Sequence, residues 1–207
     1  MKIALPIILL FIAQTSVAQI KVTQLAKTDV PKSIIYKGHI INAAKYADKT
    51  GDHLVITTET GETPTKNSEN SDSRDAALYA YHYDMGGNNQ FKLSWQLYDF
   101  ISDCPVDIKA NYVQGSFAVT DVDNNGIAEV WLLYRTTCRG DVSPSTMKLI
   151  MHEGDKKYAV RGESKVKLSE KETIGGTYTF DAAFKSAPAS FRKYAADTWK
   201  KYIMDTF

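Results

Sequence analysis

The sequence has little cysteine, no excess of either charge, and no long apolar run after its first residues. Its 207 residues include two Cys, and 25 Lys and Arg nearly balance 24 Asp and Glu. A sequence-independent nucleic-acid binder needs a dense basic surface, so the near-neutral charge argues against that class. Twelve Tyr, eight Phe and three Trp are too many for a disordered chain. The length predicts one domain, since domains average about 150 residues.

Short catalytic motifs are also missing. The chain has no G-x-S-x-G, no P-loop and no dinucleotide fingerprint. The segment from Ser145 to Lys148 matches S-x-x-K, but the S-D-N and K-T-G elements that accompany it in penicillin-binding proteins are absent. The histidines have no metal-site spacing and are predicted to be strand or turn residues: His39, His53, His82 and His152. The sequence therefore names no reaction.

The first 18 residues have the pattern of a secretory signal peptide. Lys2 precedes an apolar run from Ile3 to Ala13, and the small residues from Ser16 to Ala18 form the predicted cleavage site. The run is shorter than the about 20 residues of a transmembrane helix. Gln19, not Cys, follows the predicted cleavage site, so a lipoprotein anchor is not expected. We expect an exported protein, periplasmic or extracellular, with residues 19–207 forming a single β-rich domain.

The predicted compartment determines how the two cysteines are interpreted. Cys104 and Cys138 lie 34 positions apart, each beside turn-forming residues. In an oxidising compartment an even pair favours a disulfide. The alternative is two separate buried thiols.

Most of the apolar pattern has a period of two, which is typical of β-strands. The elements also recur in order, with His82 and His152 separated by 70 positions. Each half, at about 40–98 and 115–162, therefore resembles a four-stranded propeller blade. The predicted strands lie within Ile40 to Tyr46, Leu54 to Ile56, Leu78 to Tyr83, Phe91 to Leu97, Phe117 to Val119, Val130 to Tyr134, Met147 to His152, and Tyr158 to Arg161.

Two further segments complete the predicted fold. Residues 188–205 are predicted to form an amphipathic helix, because Phe191, Ala195 and Trp199 share one stripe. Thr57 to Asp75 has no hydrophobic residue and is predicted to be a solvated loop between two strands. The expected fold class is mainly β, with two propeller-blade-like four-stranded antiparallel sheets and a C-terminal amphipathic helix.

The segment most informative about chemistry is an acidic turn after Val119. Alternating oxygen side chains, a glycine and a later glutamate suit calcium, since no His or Cys is included. An EF-hand is excluded because Leu132 stands where its bidentate glutamate belongs. The alternative is an Asx-rich hairpin turn without an ion. The candidate ligands are Asp121, Asp123, Asn125, the Ile127 carbonyl and Glu129.

This acidic turn resembles the calcium loop of FG-GAP and VCBS repeats, the blades of integrin-type propellers. The resemblance is strict over about 20 residues, and the blade pattern extends it loosely over 40–162. It implies a calcium ion on the five candidate ligands, with Asn125 in place of the commoner aspartate. The corresponding turn in the first half, Asp48 to Asp52, lacks the second and third ligands and is expected to be metal-free. More loosely, the chain is similar to small bacterial envelope proteins described as surface polysaccharide biosynthesis proteins.

That second resemblance implies a role near surface glycans and no particular reaction. Aromatic side chains on a sheet can stack on sugar rings, and the candidates are Tyr79, Tyr81, Tyr83 and Trp95. The competing interpretation places these rings in the core between the blades or beneath the helix. One functional hypothesis is a non-enzymatic, calcium-stabilised binding or scaffold protein whose partner is a surface glycan or an envelope protein. The other is an envelope glycan-modifying hydrolase with scattered catalytic carboxylates.

Overall fold

The computed structural model describes residues 20–66, 69 and 72–205. The predicted signal peptide, residues 1–18, lies outside the described residues. The described chain is mainly β, with antiparallel sheets and a C-terminal helix, which confirms the predicted fold class. Across these residues, no helix combines the length and apolar character needed to span a membrane.

The first sheet is a five-stranded antiparallel meander in which each strand pairs with the next one in the chain. The turn between its second and third strands is only two residues long, because Asp48 pairs directly with Gly51. The sheet has one strand more than predicted, since a short polar N-terminal strand adds to its edge. The strands are β1 (Lys21–Gln24), β2 (His39–Asp48), β3 (Gly51–Pro64), β4 (Arg74–Gly86) and β5 (Gln90–Cys104).

The remaining elements form a second sheet, a short ribbon and two helices. They are β6 (Asp107–Tyr112), β7 (Ala118–Thr120), β8 (Glu129–Arg139), β9 (Thr146–Glu153), β10 (Lys156–Glu163), β11 (Lys165–Lys167), β12 (Thr173–Gly175), β13 (Tyr178–Phe180), α1 (Ala182–Ser186) and α2 (Ala189–Tyr202). The second sheet follows the order β13-β10-β9-β8-β6, and β7 pairs with β8 beyond the end of β6. A separate two-stranded ribbon joins β11 and β12.

The two sheets pack face to face, and each outer face has its own cover. Strand β8 contributes Val130 and Leu132 to the core between the sheets. Its alternate residues Trp131 and Leu133 pack against the helices on the other side. A strand buried on both faces carries a continuous apolar run, as this one does. The outer face of the first sheet is covered by the segment around Val30 and Ile34.

The predicted helix is present and packs as its sequence pattern indicates. Helix α2 begins directly after Pro188 and ends at Tyr202, three residues before the predicted limit. Phe191, Ala195 and Trp199 are buried against the second sheet. The apolar stripe is therefore a core surface.

The predicted loop at Thr57 to Asp75 is wrong at both of its ends. Strand β3 continues to Pro64 and β4 begins at Arg74, while residues 67, 68, 70 and 71 lie outside the described ones. Thr57 and Thr58 are fully buried in spite of their hydroxyl groups. The Thr57 hydroxyl oxygen accepts hydrogen bonds from Asn42, and the Thr58 hydroxyl donates to the Lys37 carbonyl. Polar side chains enter a buried strand when such partners are present.

Candidate functional site

The acidic loop, residues 121–129, connects β7 to β8 and brings three carboxylates together. One oxygen from each of Asp121, Asp123 and Glu129 lies within 4.8 Å of the other two. Pairing of Thr120 with Glu129 closes the base of the loop. Gly126 has a φ of 83°, which a side chain would disfavour.

Glu129 is the most buried of these acids. Its carboxylate accepts hydrogen bonds from the Thr120 hydroxyl at 2.6 Å and from the Val122 amide at 3.0 Å. Burial raises the pKa of Glu129 above its usual value, the charges of Asp123 and Asp121 raise it further, and the two hydrogen bonds oppose this rise. A positive ion near Glu129 would relieve both unfavourable contributions.

Asp121 is only partly satisfied by the protein. Its Oδ2 accepts a hydrogen bond from the Gly126 amide at 3.0 Å. Its Oδ1 is buried and has no hydrogen-bond partner among the described residues. A buried carboxylate oxygen without a donor is costly, and a bound cation would satisfy it.

The Asn125 side chain, another predicted ligand, makes hydrogen bonds to neighbouring residues. Asn125 directs its side-chain nitrogen to Asp123 at 3.1 Å and to Glu153 at 2.6 Å. Its side-chain oxygen accepts a hydrogen bond from the Ile127 amide at 2.7 Å. The bond between Asn125 and Ile127 is an Asx-turn contact, which forms without an ion. These contacts leave the unpartnered Asp121 oxygen unexplained, so the loop fits a hard cation on three carboxylates.

The turn from Asp48 to Asp52 packs directly on the acidic loop. The Lys49 amide donates to the Gly126 carbonyl at 2.9 Å, and the Lys49 ammonium donates to the Asn125 carbonyl. The Ala128 amide donates to Asp48 Oδ2 at 2.9 Å. A side chain at position 126 would collide with Lys49, which is a second reason for glycine there.

A second polar cluster lines a cavity of about 200 Å³ between the ends of the two sheets. Five aromatic rings form a continuous stack along it. Neighbouring ring centres lie 4.9, 5.1, 5.0 and 4.0 Å apart. The rings, in order, are Tyr46, His53, His82, Trp95 and His152.

His53 lies between two carboxylates. Its Nε2 is 3.2 Å from Asp48 Oδ1 and 2.9 Å from the Thr50 hydroxyl, and its Nδ1 is 3.2 Å from Asp84 Oδ1. Burial raises the pKa of Asp48, but hydrogen bonds from Ala128 and Thr50 and the charge of His53 outweigh it, so the pKa is lowered. Asp48 is therefore an ionised and well-held hydrogen-bond acceptor.

His82 is as buried as His53 but has fewer partners. Its Nε2 shares a hydrogen bond with the Tyr46 hydroxyl at 2.7 Å. Its Nδ1 has no partner within the described part of the chain. Burial lowers the pKa of His82 to about 4, helped by His53 and opposed by the charges of Asp84 and Asp48. The ring is therefore neutral near pH 7.

Sequence spacing does not reveal this histidine cluster, and the predicted role of the histidines as plain strand residues is incomplete. Strand register assembles it, because His53 pairs with Asp84 across β3 and β4, and His82 lies two positions earlier on the same face. One ligand atom from each of His53, His82 and Asp84 lies within 4.8 Å of the others. The one hint in the sequence was that His82 and His152 occupy corresponding positions, 70 residues apart, in the two halves.

The predicted sugar-stacking rings need correction. Tyr79, Tyr81 and Tyr83 are buried on the outer face of the first sheet, beneath the segment around Val30. Because these rings are buried, their faces are not accessible to a ligand. The Tyr81 hydroxyl also accepts a hydrogen bond from the Lys37 amide.

Trp95 is enclosed in a different way. Its half-buried ring stands between His82 and His152. The large exposed aromatics of the first sheet are Tyr98 and Phe100, 53% and 49% exposed, with ring centres 5.1 Å apart. Exposed aromatic rings therefore lie on β5, beside the strand that carries the three buried tyrosines.

The predicted disulfide is confirmed. Cys104 at the end of β5 is bonded to Cys138 in β8, with Cα atoms 5.8 Å apart. The bond links the two sheets directly. Comparisons with protein-family models, with curated proteins and with solved structures found no match to this chain.

Proposed function

We propose that this chain is an exported, calcium-stabilised binding protein of the cell envelope whose ligand is surface polysaccharide. The observation that carries the calcium part is the buried, unpartnered Asp121 Oδ1 beside the Asp123 and Glu129 carboxylates. The disulfide is compatible with an oxidising compartment.

Calcium suits this loop better than a softer metal. The donors of the acidic loop are oxygens, and hard cations of this kind prefer carboxylate and carbonyl oxygen. Asp121, Asp123 and Glu129 would hold the ion, and the resemblance to FG-GAP loops adds Asn125 and the Ile127 carbonyl. When bound, calcium supplies positive charge to three adjacent acids. Its role here is to stabilise the fold.

The calcium proposal is tested by thermal unfolding of the mature chain in millimolar calcium and in chelator. A ligand present at 100 times its Kd stabilises the folded state by about 2.7 kcal/mol. For a chain of this size, that corresponds to a rise in Tm of about 5–10 °C. Asp123→Ala is expected to abolish the difference between the two conditions, whatever its own Tm.

The matched control is Asp52→Ala, which removes an exposed acid outside the cluster. It should retain the full calcium response. An unchanged Tm of the unmodified protein, or an equal response in Asp123→Ala, would show that the acidic loop is an ion-free turn.

The polysaccharide part of the proposal is supported by the exposed rings of β5. Tyr98 and Phe100 lie on the outer face of the first sheet, with the half-exposed Leu93 on the same face. Apolar rings with exposed edges and faces can pack against the C–H groups of sugars. Because this surface lies away from the acidic loop, calcium acts on it only through the stability of the sheet pair.

Binding to an array of purified bacterial surface polysaccharides tests this surface. We expect the double variant Tyr98→Ala, Phe100→Ala to bind about 5- to 150-fold more weakly, since aromatic contacts contribute about 0.5–1.5 kcal/mol each. Tyr178→Ala, a change at an exposed ring of the second sheet, is the control and should bind normally. Binding to no polysaccharide, or equal binding by the double variant, would contradict the proposal.

The cavity between the sheets favours a second candidate, a glycan-modifying hydrolase. Asp48, Asp84 and Asp155 line it and provide carboxylates beside the histidines. Chromatography of the incubated polysaccharides separates the two functions. Shortened products would favour the hydrolase, and unchanged chains would favour binding.

A further inference from the structure

We propose that His53, His82 and Asp84 form a binding site for a divalent transition metal of the zinc class, separate from the acidic loop. The site would have three protein ligands and a fourth position open to the cavity. Nitrogen donors distinguish it from the calcium loop, since imidazole favours zinc and its neighbours whereas calcium prefers oxygen.

One ligand-to-ligand distance matches the spacing at a tetrahedral zinc ion. Ligand atoms about 2.0–2.1 Å from a tetrahedral zinc lie about 3.3 Å from one another. His53 Nδ1 and Asp84 Oδ1 are 3.2 Å apart, close to this separation. The third ligand atom, from His82, lies within 4.8 Å of both.

Each histidine is held by an oxygen on its far side. Zinc-bound histidines normally donate their other ring N–H to a carboxylate or another oxygen, which fixes the tautomer. Asp48 has this relation to His53 Nε2, and the Tyr46 hydroxyl has it to His82 Nε2. With Nε2 protonated, Nδ1 of each ring has a lone pair available to the metal.

The second, independent observation is the unpartnered nitrogen of His82. This side chain is almost fully buried, yet its Nδ1 has no hydrogen-bond partner in the part of the chain that the structure describes. A buried ring nitrogen without a partner carries a free-energy cost that a metal would remove. His152 is not the fourth ligand, because the Trp95 ring lies between it and His82.

A metal can reach the site. The side chain of Asp84 is 48% exposed and lies at the mouth of the cavity. The cavity volume of about 200 Å³ is several times that of a water molecule. A water can therefore occupy the fourth position, an arrangement typical of catalytic rather than structural zinc sites.

Metal binding is measured on the full mature chain after dialysis against chelator. Titration calorimetry with Zn²⁺ gives affinity and stoichiometry, and visible absorption of Co²⁺ reports tetrahedral coordination. We expect one ion per chain at this site. His82→Gln and Asp84→Ala should each weaken Zn²⁺ binding more than about 100-fold, since even residues outside the first coordination sphere contribute about 10- to 100-fold.

Two controls keep this test decisive. His39→Gln removes the exposed histidine outside the cluster and should leave Zn²⁺ affinity unchanged. Asp84→Ala alters a half-exposed side chain, so its circular dichroism and Tm are expected to show a folded protein even if His82→Gln unfolds.

The acidic loop provides the last comparison. Asp123→Ala should lose the calcium response and keep Zn²⁺ binding, so that the two sites can fail separately. Absence of Zn²⁺ and Co²⁺ binding, or equal affinity in folded Asp84→Ala, would overturn the proposal.

Discussion

His152, at one end of the ring stack, has a strongly lowered pKa. Burial lowers its pKa to about 3, and the charges of Lys157 and His82 act in the same direction. Both ring nitrogens are buried and have no partner among the described residues. The neutral ring stacks on Trp95, with ring centres 4.0 Å apart.

This shift makes stability depend on pH. In the unfolded chain His152 takes up a proton below its usual pKa of 6.5, whereas in the folded chain it stays neutral until about 3. Its contribution to stability is therefore full above pH 6.5 and is lost as the pH falls towards 3. Near about pH 5, the free energy of unfolding should fall by about 1.4 kcal/mol per pH unit through this residue.

The check is urea unfolding of His152→Phe, which keeps an aromatic ring beside Trp95 but cannot take up a proton. Its free energy of unfolding should fall less steeply than that of the unmodified protein between these pH values. His39→Gln should keep the original slope, because His39 is exposed. Identical slopes in all three proteins would mean that His152 does not titrate abnormally.

Residue spacing explains which site could be predicted. Asp121, Asp123 and Glu129 fall within nine consecutive positions, so one turn of chain brings their oxygens together. His53 and Asp84 are 31 positions apart and meet only through the register of β3 with β4. Register depends on packing across the whole sheet, which a local motif does not contain.

At the level of elements, alternation located the long strands but not their ends. Strand β3 was predicted from Leu54 to Ile56 and spans Gly51–Pro64. Its second half is polar and continues because β4 offers hydrogen-bond partners as far as Pro64, which pairs with Arg74. A strand can thus extend beyond its apolar pattern wherever a neighbouring strand satisfies its backbone.

Short elements escaped prediction for a related reason. Strands β1, β11, β12 and β13 contain three or four residues each, too few to show a period of two. Strand β6 was also missed, although its buried residues Ile108, Ala110 and Tyr112 alternate with exposed ones. Helix α2 was predictable because its apolar stripe repeats over several turns. The sheets therefore gained edge strands that the blade pattern did not contain.

At the scale of the whole molecule, the disulfide between Cys104 and Cys138 joins the two sheets. A cross-link spanning 34 positions restricts the unfolded chain, and such bonds typically contribute about 2–4 kcal/mol. The double variant Cys104→Ser, Cys138→Ser should lose about that much free energy of unfolding in urea. Both cysteines are replaced, because a single remaining thiol would be reactive.

Reductant supplies the matching control. It should lower the unfolding midpoint of the unmodified protein towards that of the double variant and leave the double variant unaffected. A midpoint in the double variant equal to that of the oxidised protein would show that noncovalent contacts alone hold the sheets together.

The meander order of the first sheet also bears on how the chain finds its fold. Every pairing from β1 to β5 joins strands that are neighbours along the chain. Closing a short loop loses less conformational entropy than bringing distant segments together, and local contacts are associated with fast folding. The N-terminal half can thus satisfy most of its backbone hydrogen bonds while the rest of the chain is still unfolded. The second sheet must wait for β13, which follows the β11 and β12 ribbon, before its far edge is paired.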